Sequence, residues 1–205
     1  MKRIYDISLD YSNVHVDDED GYYRGDVQTE PLGVVELSQN LPHIVVPQTF
    51  DFDVSNIDRL VTASIAKVNS GTTVFTNELI DVLNGVSKVD WTLIPVRFFN
   101  PASGEEVLSG RFSAVFFDEF GDYFDYEKSE YDEIDWSLRP PDMVTERMRK
   151  KVLVVHKMVL QEPDSGFPPC FRLLASSTGL YISEAAHEAI LKAGLTGLKL
   201  FPYEV

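Results

Sequence analysis

Apolar residues in this chain come in short runs, and proline, glycine or acidic clusters break each run before it can wrap a long helix. Such punctuation admits many short strands, a few short helices and little else. Residues Ile4 to Tyr11 open the series. Tyr5, Ile7, Leu9 and Tyr11 share one face, while Asp6, Ser8 and Asp10 share the other with Ile4, the pattern of a half-buried strand. An acidic turn, Asp17-Asp18-Glu19-Asp20-Gly21, follows. Val34-Val35 and Ile44-Val45-Val46 are bounded by Pro31, Pro42 and Pro47, so they read as short or edge strands. Ile57, Leu60, Val61, Ile65 and Val68 fall near helical spacing after a cap at Asn56, and Asn69-Ser70-Gly71 ends that helix. Thr73-Val74-Phe75 is a strand, Asn77 an N-cap, Glu78 to Leu83 a short helix and Gly85 its stop.

Trp91 to Phe99 and Arg111 to Phe117 read as a hairpin across Asn100-Pro101-Ala102-Ser103-Gly104. Val152 to Leu160, Phe171 to Leu174 and Leu180 to Ile182 are further strands. Ser183 then caps a helix from Glu184 to Lys192 that stops at Gly194. Val74-Phe75-Thr76-Asn77-Glu78 and Leu180-Tyr181-Ile182-Ser183-Glu184 echo one another: each is a strand, a polar cap, then Glu in the favourable first turn. Either two similar half-structures or a chance recurrence of a common unit fits the echo. Strands and short helices without strict alternation predict an α+β fold, mainly antiparallel. The 205 residues suit one compact unit, with a strand-rich segment over 1–50 and an α+β domain over 51–205.

Few kinds of chemistry suit these residues. Cys170 is the one cysteine, so no internal disulfide forms, and a packed small side chain in a reducing compartment is expected. His15, His43, His156 and His187 are far apart, and no His/Cys pair has metal-ligand spacing. His156 reads as a hydrogen-bonded structural residue and His187 as a solvated one. No GxSxG, GxxxxGK[ST] or GxGxxG occurs. No catalytic residue, metal or cofactor is therefore expected. The N-terminus lacks a signal-peptide core and no apolar stretch approaches about 18 residues, which predicts a cytoplasmic protein away from the membrane. A net charge of −15 disfavours nucleic acid and favours encounter with basic partners.

Residues 118–135 hold nine acids and one lysine, a net −8, with aromatic residues between them. Two readings fit. Carboxylates beside aromatic anchors suit a protein interface, which makes Asp118, Glu119, Asp122, Tyr123, Asp125, Tyr126, Glu127, Glu130, Tyr131 and Trp136 candidate partner-binding residues. Alternatively, the rings pack inward and the acids simply face water. The basic cluster Arg147, Arg149, Lys150 and Lys151 suits a phosphate, a helix end or the acidic segment.

Lys157-Met158-Val159-Leu160, Phe171-Arg172-Leu173, Tyr181-Ile182-Ser183-Glu184 and the tail Ala193-Gly194-Leu195-Thr196-Gly197-Leu198-Lys199-Leu200-Phe201 carry a resemblance. They resemble the α+β immunity proteins encoded beside bacterial polymorphic toxins, a group once known only as a domain of unknown function. Val74 to Glu78 and Pro95-Val96 fit more loosely. Each matching piece has its own structural cause, so the resemblance marks a fold and transfers no site residue. It implies a protein that binds a toxin domain, delivered by a route such as type VI secretion, and blocks its active site or substrate path. Nucleases are common among such toxins, and their basic grooves would suit an acidic surface. An enzyme acting on a small molecule, or an adaptor without a toxin partner, are the competing expectations.

Overall fold

The computed structural model describes residues 3–9, 50–53, 61, 64–68, 72–117, 120–176 and 179–204. The acidic turn at 17–21, the apolar runs at 34–35 and 44–46, and the start of the helix expected from Ile57 lie outside them. The architecture is α+β, with three sheets and three α-helices among the described residues.

The first sheet joins the two ends of the chain. β1 (Arg3–Leu9) lies between β10 (Tyr181–Ser183) and β11 (Leu198–Glu204), antiparallel to both, and β9 (Cys170–Phe171) completes the order β11-β1-β10-β9. A strand flanked on both sides has two faces to bury. Tyr5 and Ile7 are buried on one face and Ile4, fully buried, on the other, which corrects the half-buried expectation.

The second sheet has the order β2-β5-β6-β4-β3. Its strands are β2 (Phe50–Asp53), β3 (Ile65–Val68), β4 (Thr72–Thr76), β5 (Trp91–Phe99) and β6 (Glu106–Phe117). All its pairs are antiparallel except β2 with β5. The expected hairpin is β5–β6. Its loop is closed by the Gly104 N–H on the Asn100 carbonyl (2.7 Å) and the Ala102 N–H on Asn100 Oδ1 (2.9 Å). Residues 65–68 correct the helix expected there: Ile65 pairs with Phe75 and Val68 with Thr72. A short apolar run has no periodicity that separates strand from helix, and ladder pairing with β4 decides the matter.

Two ten-residue helices, α1 (Asn77–Val86) and α3 (Glu184–Ala193), follow β4 and β10 directly. Between them α2 (Glu146–Arg149) is a single turn. Thr76 caps α1 by accepting from the Leu79 N–H, and Ser183 caps α3 by accepting from the Ala186 N–H. The cap of α1 is thus one residue earlier than Asn77. Asn77 instead donates to the Gly110 carbonyl (2.8 Å) and accepts from Ser113 Oγ (2.9 Å). Those bonds brace a bulge in β6, where Val107 and Phe112 pair with Phe98 and Val96, so 108–111 bow out against Arg97 alone. α1 runs through Gly85 to Val86, whereas Gly194 ends α3 as expected, with φ +68°.

α1 and α3 pack on each other. Leu79, Ile80 and Leu83 of α1 and Ala186 and Ile190 of α3 share one core with residues of both sheets, among them Tyr5, Ile182, Phe75 and Phe117. Cys170 lies in this core, and its burial pushes the thiol up, away from thiolate chemistry. His187 corrects its solvated assignment: it is half-buried, and its ring stacks on Tyr5 at 3.8 Å and 11°.

Candidate partner-binding surface

The opposite face of the first sheet presents Ile4, Phe171 and Tyr181, and the acidic segment lies over it. Gly121 begins the cover. Its N–H donates to the Arg172 carbonyl (2.7 Å), and its own carbonyl accepts from the Leu174 N–H (2.9 Å). The Tyr123 ring sits where a β-carbon on Gly121 would be, 2.1 Å from that position, so only glycine lets the ring close down here. Tyr123 then meets Phe167 and Phe171 edge-on at 5.5 and 5.4 Å. Phe124, Tyr126 and Tyr131 form a mutually edge-on triad with centroids 4.9 to 5.8 Å apart. These separations are the favoured aromatic geometry. Tyr123, Phe124, Tyr126 and Tyr131 therefore belong to a second core, with Leu160, Leu173 and Ala175 among its buried members, while Phe120 packs against the first.

The carboxylates divide by environment. Asp125 is 2% exposed. It accepts from the Glu127 and Lys128 N–H groups, both at 3.1 Å, and pairs with Lys128 Nζ at 3.0 Å, which closes the turn at 126–128. Hydrogen bonding from Lys128 holds its carboxyl below the usual carboxylate range, against the burial that pushes it up. Asp122 pairs with Lys150, and that bond raises the lysine. Tyr126 donates to the Lys150 carbonyl, and burial, with the charge of Asp122, pushes its phenol up to about 12. The segment continues into a third, two-stranded sheet, β7 (Glu130–Glu133) with β8 (Val152–Lys157). There Asp132 pairs with His156 Nε2 at 3.1 Å and Glu130 approaches Lys157 at 3.9 Å, all at the surface. Trp136 is half-buried, with the Arg139 guanidinium over its ring at 5.7 Å.

Of the ten candidate residues, eight are described; Asp118 and Glu119 lie outside the described residues. Tyr123, Tyr126 and Tyr131 brace the core beneath, and Asp125 is a turn-former. Asp122, Glu127 and Glu130 are exposed carboxylates, to which the structure adds Asp132, Glu133 and Asp135. This exposed acidic stretch, the ledge, rests on a backbone braced by the rings beneath it. Arg147, of the basic cluster, lies over Phe120 at 5.0 Å, so part of that cluster serves the segment. Among the described residues, no three His, Cys, Asp or Glu side chains converge as metal ligands, and no helix is long and apolar enough to cross a membrane.

A half-buried cation escaped sequence reasoning. Arg172 Nη2 donates to Thr73 Oγ1 at 3.0 Å, and its guanidinium lies over Phe117 at 5.7 Å. It links β4 and β6 of the second sheet to the chain just after β9, and burial lowers its affinity for a proton. Its position after Phe171 gave no sign of this, because the partner is 99 residues away. No family model and no curated protein matches the chain.

Proposed function

We propose that this protein neutralises a toxin by binding it, with the acidic ledge set into a basic groove of the toxin domain. The observation that supports the reading is the division of labour in residues 120–133. Tyr123, Phe124, Tyr126 and Tyr131 turn inward and brace the backbone, while Glu127, Glu130 and Glu133 stay exposed along it. A rigid charged surface loses little entropy on binding, and its field steers a basic partner during encounter. The net charge of −15 acts in the same direction at longer range. The resemblance of the C-terminal third to immunity proteins makes the partner a toxin domain, and a nuclease fits the charge.

Co-expression tests the reading. The protein should restore growth to cells that express the toxin encoded by the adjacent gene, and the two should co-purify as a stable complex. Rescue with no detectable complex would point to an enzymatic or indirect role.

A further inference from the structure

The outermost strand of a sheet carries N–H and C=O groups without ladder partners, and such an edge accepts any further strand that reaches it. The two edges of the first sheet are unequal. β9 is two residues long and follows Pro168-Pro169, and the chain just after it, at Arg172 and Leu174, is already bonded to Gly121. β11 is seven residues long, and β1 is its one strand partner among the described residues. Its sequence, Leu198-Lys199-Leu200-Phe201-Pro202-Tyr203-Glu204, is rich in apolar and aromatic residues that suit strand pairing. Phe201 is 44% exposed and Tyr203 37%.

The register fixes which backbone groups of β11 face outward. The Ile7 N–H donates to the Leu180 carbonyl at 2.9 Å, so the backbone groups of Ile7, and by alternation those of Tyr5, point toward β10. Those of Ile4, Asp6 and Ser8 therefore point toward β11, where they meet Tyr203, Phe201 and Lys199. Leu198, Leu200, Pro202 and Glu204 are left with their backbone groups on the outer side. Proline has no N–H. Pro202 lies opposite Tyr5 in a non-hydrogen-bonded pair, so it costs the ladder with β1 nothing. On the outer side it removes a donor and puts its ring where an incoming carbonyl would dock. In an antiparallel meeting of two β11 strands with Leu200 opposite Pro202, each copy lacks a donor at the middle of the new ladder. Pro202 is itself exposed, as this role requires. We infer that Pro202 closes the β11 edge to strand addition, and so keeps two copies of this chain from joining their first sheets edge to edge.

Restoring the missing N–H tests the inference. Pro202→Thr does so with a strand-forming side chain. Pro202→Ala does so with almost none, and keeps the test open should threonine disturb the fold. Sedimentation velocity of the full chain over a range of concentrations measures association, and amide exchange at Leu200 reports the edge itself. Both variants should self-associate at least about tenfold more tightly than wild type, since a symmetric pair gains two hydrogen bonds. The Leu200 N–H should exchange freely in wild type at every concentration, and should slow with concentration in both variants. Variants that associate no more tightly than wild type overturn the inference. So does association of the threonine variant alone, which would trace the effect to the side chain. A Leu200 N–H already protected in monomeric wild type also overturns it, because the edge would then be covered without help from Pro202.

Discussion

Gly121 and Asp125 carry more of the acidic segment than their size suggests. Gly121→Ala must push the Tyr123 ring off its seat between Phe167 and Phe171. Overpacking of this kind costs about 1–3 kcal/mol, and a denaturant melt should show it. Asp125 makes stability depend on pH. Its carboxyl is held below its ordinary value when folded. The stability it lends is thus fully present above the unfolded-state value of about 3.9 and is lost as pH falls through the lower folded-state value. The gap in stability between wild type and Asp125→Asn should accordingly be wide at neutral pH and narrow below about pH 4. An unchanging gap would mean that the turn does not rest on the charge. Neither role was legible in the sequence. Asp125 is one of nine acids in its segment, and nothing local distinguishes the one that bends back onto its own backbone. Gly121 needs the Tyr123 ring above it before its missing side chain has meaning.

At the scale of elements, local signals read well where the chain closes its own hydrogen bonds. Ser183, Gly194 and the Asn100 loop act as their residue types dictate. The signals failed where a distant strand decides. Residues 65–68 have helical spacing and become a strand through β4, and Ile4 looks solvent-facing until β10 and β11 flank it. The cap of α1 was misplaced by one residue because Thr76 and Asn77 are both good caps, and Asn77 is drawn to a bulge 33 residues on. Substitution separates the two roles. Thr76→Ala and Ser183→Ala should each cost about 1 kcal/mol of stability through loss of a cap. Asn77→Ala should instead speed amide exchange in residues 108–111, by loosening the bulge it braces. Equal exchange rates there in wild type and Asn77→Ala would remove that role.

For the whole molecule, the α+β class was legible because Pro and Gly punctuation leaves room for little else. The pairing of β1 with the last strand was not, since nothing in residues 3–9 names a partner almost 200 positions away. The candidate surface was legible in part. Its charge shows in composition, while the inward turn of its rings depends on the sheet beneath. That turn changes how binding should be probed. Tyr123 and Tyr126 are structural, and their loss would act through folding. The exposed carboxylates carry the claim, and the most direct measurement is association kinetics with the proposed toxin partner, across a salt series. Wild type is compared with the triple variant Glu127→Lys, Glu130→Lys, Glu133→Lys. Steering by the ledge predicts a slower on-rate for the triple variant and a flatter dependence on salt, with an unchanged melt. Equal on-rates and equal salt slopes would contradict the account.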